Sequence, residues 1–153
     1  MQGGILMGSS LEQEMRIGGL AIRFLVEKET SGGFVAIFEF DVAAGAKVPV
    51  AHSHDGYEET IYGLAGVLTL IVEGKQTEVR PGDALCIPRG AIHRFDNFHP
   101  DEARALAVVS PGLLGPDFFC EVAQVFHAAA GAPPDPAAIG SVVRRHGLTP
   151  RPN

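Results

Sequence analysis

Between residues 18 and 110 the chain is cut into short apolar runs by glycine and proline, which limits it to many short strands joined by tight turns. The clearest run covers residues 34–42. There Phe34, Ala36, Phe38, Phe40 and Val42 alternate with Val35, Ile37, Glu39 and Asp41. Period two over that length puts each set of side chains on its own face of a strand. Further β-leaning runs fall at 20–26, 60–62, 67–72, 77–79, 84–87, 93–95 and 105–109, separated by Glu73-Gly74, Pro81-Gly82 and Pro88-Arg89-Gly90 among other turns. With no long helical pattern between them, the runs predict an all-β antiparallel sandwich or barrel.

Beyond residue 110 the period changes. Gly115-Pro116-Asp117 opens a helical segment in which Phe118, Val122, Val125 and Phe126 recur at helical spacing, ending near Gly131. Asp135 and Pro136 form an N-cap and first-turn pair for a second helix. It should run to about His146 and stop at Gly147, with Pro150 beyond. The chain therefore divides into an N-terminal arm (1–17), loosely ordered, a barrel (18–112) and a helical extension (113–153) packed on the barrel or on a partner subunit.

Two blocks of this pattern carry chemistry. His52 and His54 are two apart, so on one extended strand both imidazoles project to the same face. Glu59 follows a short stretch containing Gly56, where the chain can turn a carboxylate back toward that face. His93 arrives later, after the turn at Pro88-Arg89-Gly90. Three imidazoles and a carboxylate make a mixed nitrogen and oxygen donor set suited to one divalent transition metal: Fe, Mn, Ni, Co, Cu or Zn. His99, His127 and His146 read as packed or surface histidines. On alternation from His93, Phe95 and Asn97 share its face while Arg94 and Asp96 point away. Phe38 and Phe40 share a face that either lines a pocket or packs between sheets, with packing the favoured reading.

These blocks resemble the two motifs of the cupins. The second motif (Gly, five residues, Pro-x-Gly, two residues, His, three residues, Asn) is matched at Gly82, Pro88, Gly90, His93 and Asn97. The first is matched at His52, His54, Glu59 and Gly66, and departs once, with six residues rather than five between Gly45 and His52. Fifteen residues separate Gly66 from Gly82, the short spacing of small microbial cupins. Glu58 also falls in the window for the acidic ligand, but only Glu59 has a glycine seven positions on, so Glu59 is the expected ligand and Glu58 the solvated neighbour.

The resemblance implies a double-stranded β-helix, or jelly-roll barrel, with two short C-terminal helices. It also implies metal held inside by His52, His54, Glu59 and His93, a small organic molecule bound in the barrel, and a homodimer. The leading functional expectation is a quercetinase-like dioxygenase in which Glu59 doubles as a catalytic base. One alternative is a non-redox isomerase, cyclase or lyase that uses the ion as Lewis acid. Another is a non-catalytic small-molecule binding protein. In cupins the motif asparagine is usually structural, which sets Asn97 apart from catalysis.

Charge narrows the partners. A formal net charge of −6, with Arg144-Arg145 the densest basic spot, leaves no basic stripe to neutralise phosphates, so a nucleic-acid partner is not expected. No run of about eighteen apolar residues predicts a membrane span, and no basic n-region precedes the weakly apolar start of the chain, so a cytoplasmic location is expected. Cys86 and Cys120 lie among apolar neighbours and are expected to be buried free thiols.

Overall fold

A computed structural model describes residues 14–47 and 51–151. Eleven strands and two helices follow one another: β1 Glu14–Ile17, β2 Leu20–Val26, β3 Ala36–Val42, β4 His52–His54, β5 Glu58–Ala65, β6 Leu68–Val72, β7 Lys75–Val79, β8 Ala84–Ile87, β9 His93–Asp96, β10 Ala103–Ser110, α1 Pro116–Ala128, α2 Pro136–Arg145 and β11 Leu148–Pro150. They form two antiparallel sheets. One has the order β1-β2-β3-β10-β5-β8 and the other β11-β4-β9-β6-β7. This is the antiparallel two-sheet architecture expected of the strand pattern, in the jelly-roll arrangement that the resemblance implies. It closes the inner faces of the two sheets over one core.

The inner face of the six-stranded sheet alternates large and small side chains across strands. Phe38 and Phe40 of β3 stand opposite Ala107 and Ala105 of β10, and all four are buried. The alanines on β10 leave room for the rings of β3, so a strand poor in bulk sits beside one rich in it. Ile61 on β5 and Ile22 on β2 complete that layer, both at 0% exposure.

On the outer face of the same sheet, register produces a charge ladder. Asp41 lies directly across from Arg104, and Arg23 directly across from Glu39 and Glu14. Arg23 donates two hydrogen bonds to the Asp41 carboxylate, at 2.8 and 2.9 Å, and Arg104 Nε donates a third at 2.8 Å. Desolvation alone would raise the Asp41 carboxyl. The bonds and charges of the two guanidinium groups outweigh it and hold the group below its ordinary value of 3.8. A depressed folded-state pKa means the contribution is complete above about 3.8 and fades as pH falls through the lower folded value. Asp41→Asn is therefore expected to cost about 2 kcal/mol at neutral pH. Denaturant unfolding of the metal-free proteins should show that gap at pH 7 and a much smaller one at pH 3. A gap independent of pH would assign it to packing.

Three sequence expectations need correction. Residues 14–17, expected within a loosely ordered arm, form β1 and pair with β2 through the turn at Gly18-Gly19; residues 1–13 lie outside the described residues. Residues 148–150, counted within the helical extension, form β11 against β4. Cys86, on the edge strand β8, and Cys120, on α1, are free but exposed rather than buried. The helices match expectation closely. The Asp135 carboxylate accepts from Ala137 N at 3.0 Å, and Gly147 takes φ +76° after the C-cap. α1 lies against β1 and α2 against β11 of the same chain. Among the described residues no helix is long and apolar enough to cross a membrane.

Candidate metal centre

The two sheets deliver the expected ligands to one place from opposite sides. β4 carries His52 and His54 on one face, as period two requires, and His93 of β9 sits directly across from His52. Ring centroids of the three imidazoles lie 4.5 to 5.0 Å apart. One nitrogen from each ring can be chosen so that all fall within 4.8 Å of one another. Glu59 comes across the barrel from β5. Its Oε2 is 3.5 Å from His93 Nε2 and 3.6 Å from His54 Nδ1, while His52 Nε2 and His54 Nε2 are 3.1 Å apart.

Hydrogen bonding tests whether these donors suit a cation. His93 Nδ1 lies 3.0 Å from the carbonyl oxygen of Ala91, which can only accept, so Nδ1 carries the proton and Nε2 of the neutral ring is a free lone pair. His93 Nε2 and His54 Nδ1 are buried with no hydrogen-bond partner. Glu59, 4% exposed, points its carboxylate between them. Buried acceptors facing one another at 3.5 Å are costly unless a positive charge stands between them. An ion with bonds of about 2.1 Å puts adjacent donors roughly 3 Å apart, close to the separations present. The residues fit a divalent transition metal.

Electrostatics agree. Burial pushes His54 down to about 4, so its ring is neutral near pH 7. Burial would also raise Glu59, but the close approach of His93 and the neighbouring imidazoles outweighs it, and the carboxyl is held below its usual range. His93 shows the converse balance: burial lowers it, and the Glu59 carboxylate more than restores it.

Around the ligands the structure sorts the remaining expectations. Glu58 faces outward and pairs with Arg89 at 2.8 Å. Phe38 and Phe40 do both things weighed for them, packing in the core and lining the cavity that ends on His52, His54 and Glu59. Asn97 is structural, donating to the carbonyls of Val42 and Asp101 and accepting from His99 N. His99 pairs with Glu78 and His146 with Glu121. Asp96, expected to point out, is 1% exposed. It pairs with the buried Thr69 and bridges Lys47, so the loop before β4 covers the face that alternation assigns to solvent.

Two features escaped the sequence. Tyr57 stacks on His54 with centroids 4.4 Å apart and rings 27° from parallel, fixing the imidazole plane. Burial, reinforced by Glu59 and Asp55, drives its phenol above the ordinary value, so it stays neutral. An aromatic residue inside the spacer between ligands was the available signal. The second feature is the far wall of the cavity. Phe118, Phe119 and Val122 of α1, Ile139 and Val143 of α2, and Leu148 of β11 supply it. The helical apolar stripe already contained Phe118 and Val122, though Phe119 rather than Phe118 is the buried ring.

Comparison with known proteins follows the same lines. A family model for the cupin domain matches residues 38–109. Over 94 residues, 60% of this chain, the sequence is 31% identical to quercetin 2,3-dioxygenase from Bacillus subtilis, and the match covers 26% of that longer protein. The chain thus spans about a quarter of the length of this curated relative. Among solved structures, a predicted oxalate decarboxylase from Thermotoga maritima superposes with a TM-score of 0.64 at 23% identity, covering 70% of this chain and 99% of that one. KdgF from Halomonas superposes at 0.62 and 18% identity, covering 75% and 98%. With both motifs, the two-sheet barrel and the domain match converging on the same segment, this chain carries a cupin domain.

Proposed function

We propose that the protein is a metal-dependent dioxygenase of the quercetinase type, acting on a small enol or catechol. The observation that carries this reading is the convergence of three imidazoles and one buried carboxylate beside an otherwise apolar cavity, whose polar end is His52, His54 and Glu59. The identity to quercetin 2,3-dioxygenase supports it. His52, His54, His93 and Glu59 would hold the ion, which when bound supplies a Lewis-acidic, redox-capable centre for a substrate oxygen and dioxygen. The chain's own residues do the rest. The Ala91 carbonyl fixes the His93 tautomer and Tyr57 the plane of His54. The carboxylate of Glu59 lines the cavity and stands where it can accept the proton of a substrate hydroxyl. The surrounding phenylalanines keep water from the reacting atoms.

Oxygen uptake tests the proposal. Protein reconstituted separately with Fe, Mn, Ni, Co and Cu is expected to consume oxygen with at least one enol or catechol. Glu59→Gln, which keeps shape and loses the base, should lower kcat by at least ~100-fold. Turnover that persists under strict anaerobiosis, with Zn competent, would replace this reading with Lewis-acid chemistry. Absence of oxygen uptake with every metal and substrate would overturn it.

A further inference from the structure

The cavity beside the centre has a volume of about 90 Å³ and a marked division of chemistry. At one end stand His52, His54 and Glu59. Every other described lining residue is a phenylalanine, leucine, isoleucine or valine. Among the described residues, no lysine, arginine, serine, threonine, asparagine or glutamine reaches it. The barrel contributes Phe38, Phe40 and Phe95. The helical hairpin closes the other side with Phe118 and Phe119 of α1 and Val143 of α2. Those helices lie outside residues 38–109, so this wall is not part of the matched domain.

We propose that the cavity selects a substrate whose only polar end is its metal-binding oxygen pair, with an alkyl or aryl body and no charge or hydroxyl beyond it, and that α1 and α2 impose this choice. This rests on the proposed metal centre but not on the reaction there. A carboxylate, phosphate or polyol carried beyond the oxygen pair would leave water and find no donor, and buried polar groups without partners are strongly disfavoured. Glu59, the one carboxylate among the described residues of the lining, repels a second anion. An apolar body gains the reverse: it covers the phenylalanine faces and displaces water that has nothing polar to hold it. Substrates that need polar contacts along their length, such as sugar phosphates or dicarboxylates, are excluded on the same grounds.

A matched pair of ligands tests this without turnover. 4-Ethylcatechol and 3,4-dihydroxyphenylacetate share the oxygen pair and nearly share a shape. In the acid one methylene insulates the ring from the charge. Both would be titrated calorimetrically, anaerobically, into the Zn-loaded full chain, where redox chemistry is silent. A failed dioxygenase reading therefore leaves this result intact. 4-Ethylcatechol is expected to bind ~100-fold or more tightly than the acid. Phe118→Arg replaces a half-buried wall residue, and it should narrow the gap at least ~10-fold by raising affinity for the acid. Equal affinities, preference for the acid, or no binding of either ligand to Zn-replete protein would overturn the proposal. If the variant fails to fold, the wild-type pair alone decides.

Discussion

His93→Ala is expected to abolish metal retention while leaving a folded barrel. Wild-type protein prepared without tag or chelator should carry about one equivalent of a divalent transition metal, because the described residues hold one such cluster of histidine donors. Removing only an outer hydrogen-bond partner of a metal ligand costs roughly 10–100-fold in affinity, so loss of the ligand itself should exceed ~100-fold. His93 is the ligand with most to lose. Its tautomer is fixed by a backbone carbonyl, it lies across from His52, and its Nε2 stands 3.5 Å from the Glu59 carboxylate. Its removal also strips a partner from a buried carboxylate, which should destabilise the metal-free protein by about 1–3 kcal/mol, a few degrees in Tm at this size. Circular dichroism and elemental analysis of wild type, His93→Ala and His52→Ala separate the two effects. His52 is half-buried, so its variant should lose metal at smaller cost in stability. Metal retained at full stoichiometry in both variants would mean that the imidazoles are not the ligands.

The reason this site was legible lies in geometry that sequence encodes directly. Two histidines with one residue between them must share a strand face, and a histidine three residues past a Pro-x-Gly turn must begin a new strand at a defined height. Glu59 needed the motif glycine Gly66 to be told from Glu58, and the structure separates them: 4% exposure for Glu59, an outward ion pair for Glu58. What period two could not foretell was which outer faces are covered. Asp96 obeys alternation and is buried all the same, because Lys47 bridges its backbone from a loop. The cavity wall was hidden for a related reason. Phe38 and Phe119 meet edge to face at 5.3 Å from segments some eighty residues apart, a contact fixed by how the helices dock rather than by local pattern. β1 and β11 are four and three residues long, too short for periodicity to register, and they exist because neighbouring strands offer them an edge.

Gly66→Ala should be among the most damaging single-methyl additions in the chain, for reasons separable by a second variant. Gly66 follows β5 at φ +63°, where a β-carbon costs about 1–2 kcal/mol. Its added methyl would also stand 2.3 Å from the carbonyl oxygen of Glu102 and 3.0 Å from Cα of Ala103. Both obstacles are backbone at the entrance of β10, so no rotamer can yield; the strands must part where their pairing begins. Gly74 has φ +76° and nothing within 4 Å of the added methyl, so Gly74→Ala pays for conformation only. The expected losses are about 1 kcal/mol for Gly74→Ala and about 3–5 kcal/mol for Gly66→Ala, the difference being the cost of overpacking. Denaturant unfolding of metal-free protein measures both, and equal losses would show that the contact at Glu102 relaxes freely. The metal centre supplies the contrast. Glu59 is the second residue of the strand that Gly66 follows, and seven residues of extended chain put them roughly 23 Å apart. The folded fraction of Gly66→Ala should therefore bind metal with wild-type affinity, whereas His93→Ala folds and does not bind. One motif glycine maintains the barrel and one motif histidine maintains the site, and this pair of variants makes the two roles independent observables.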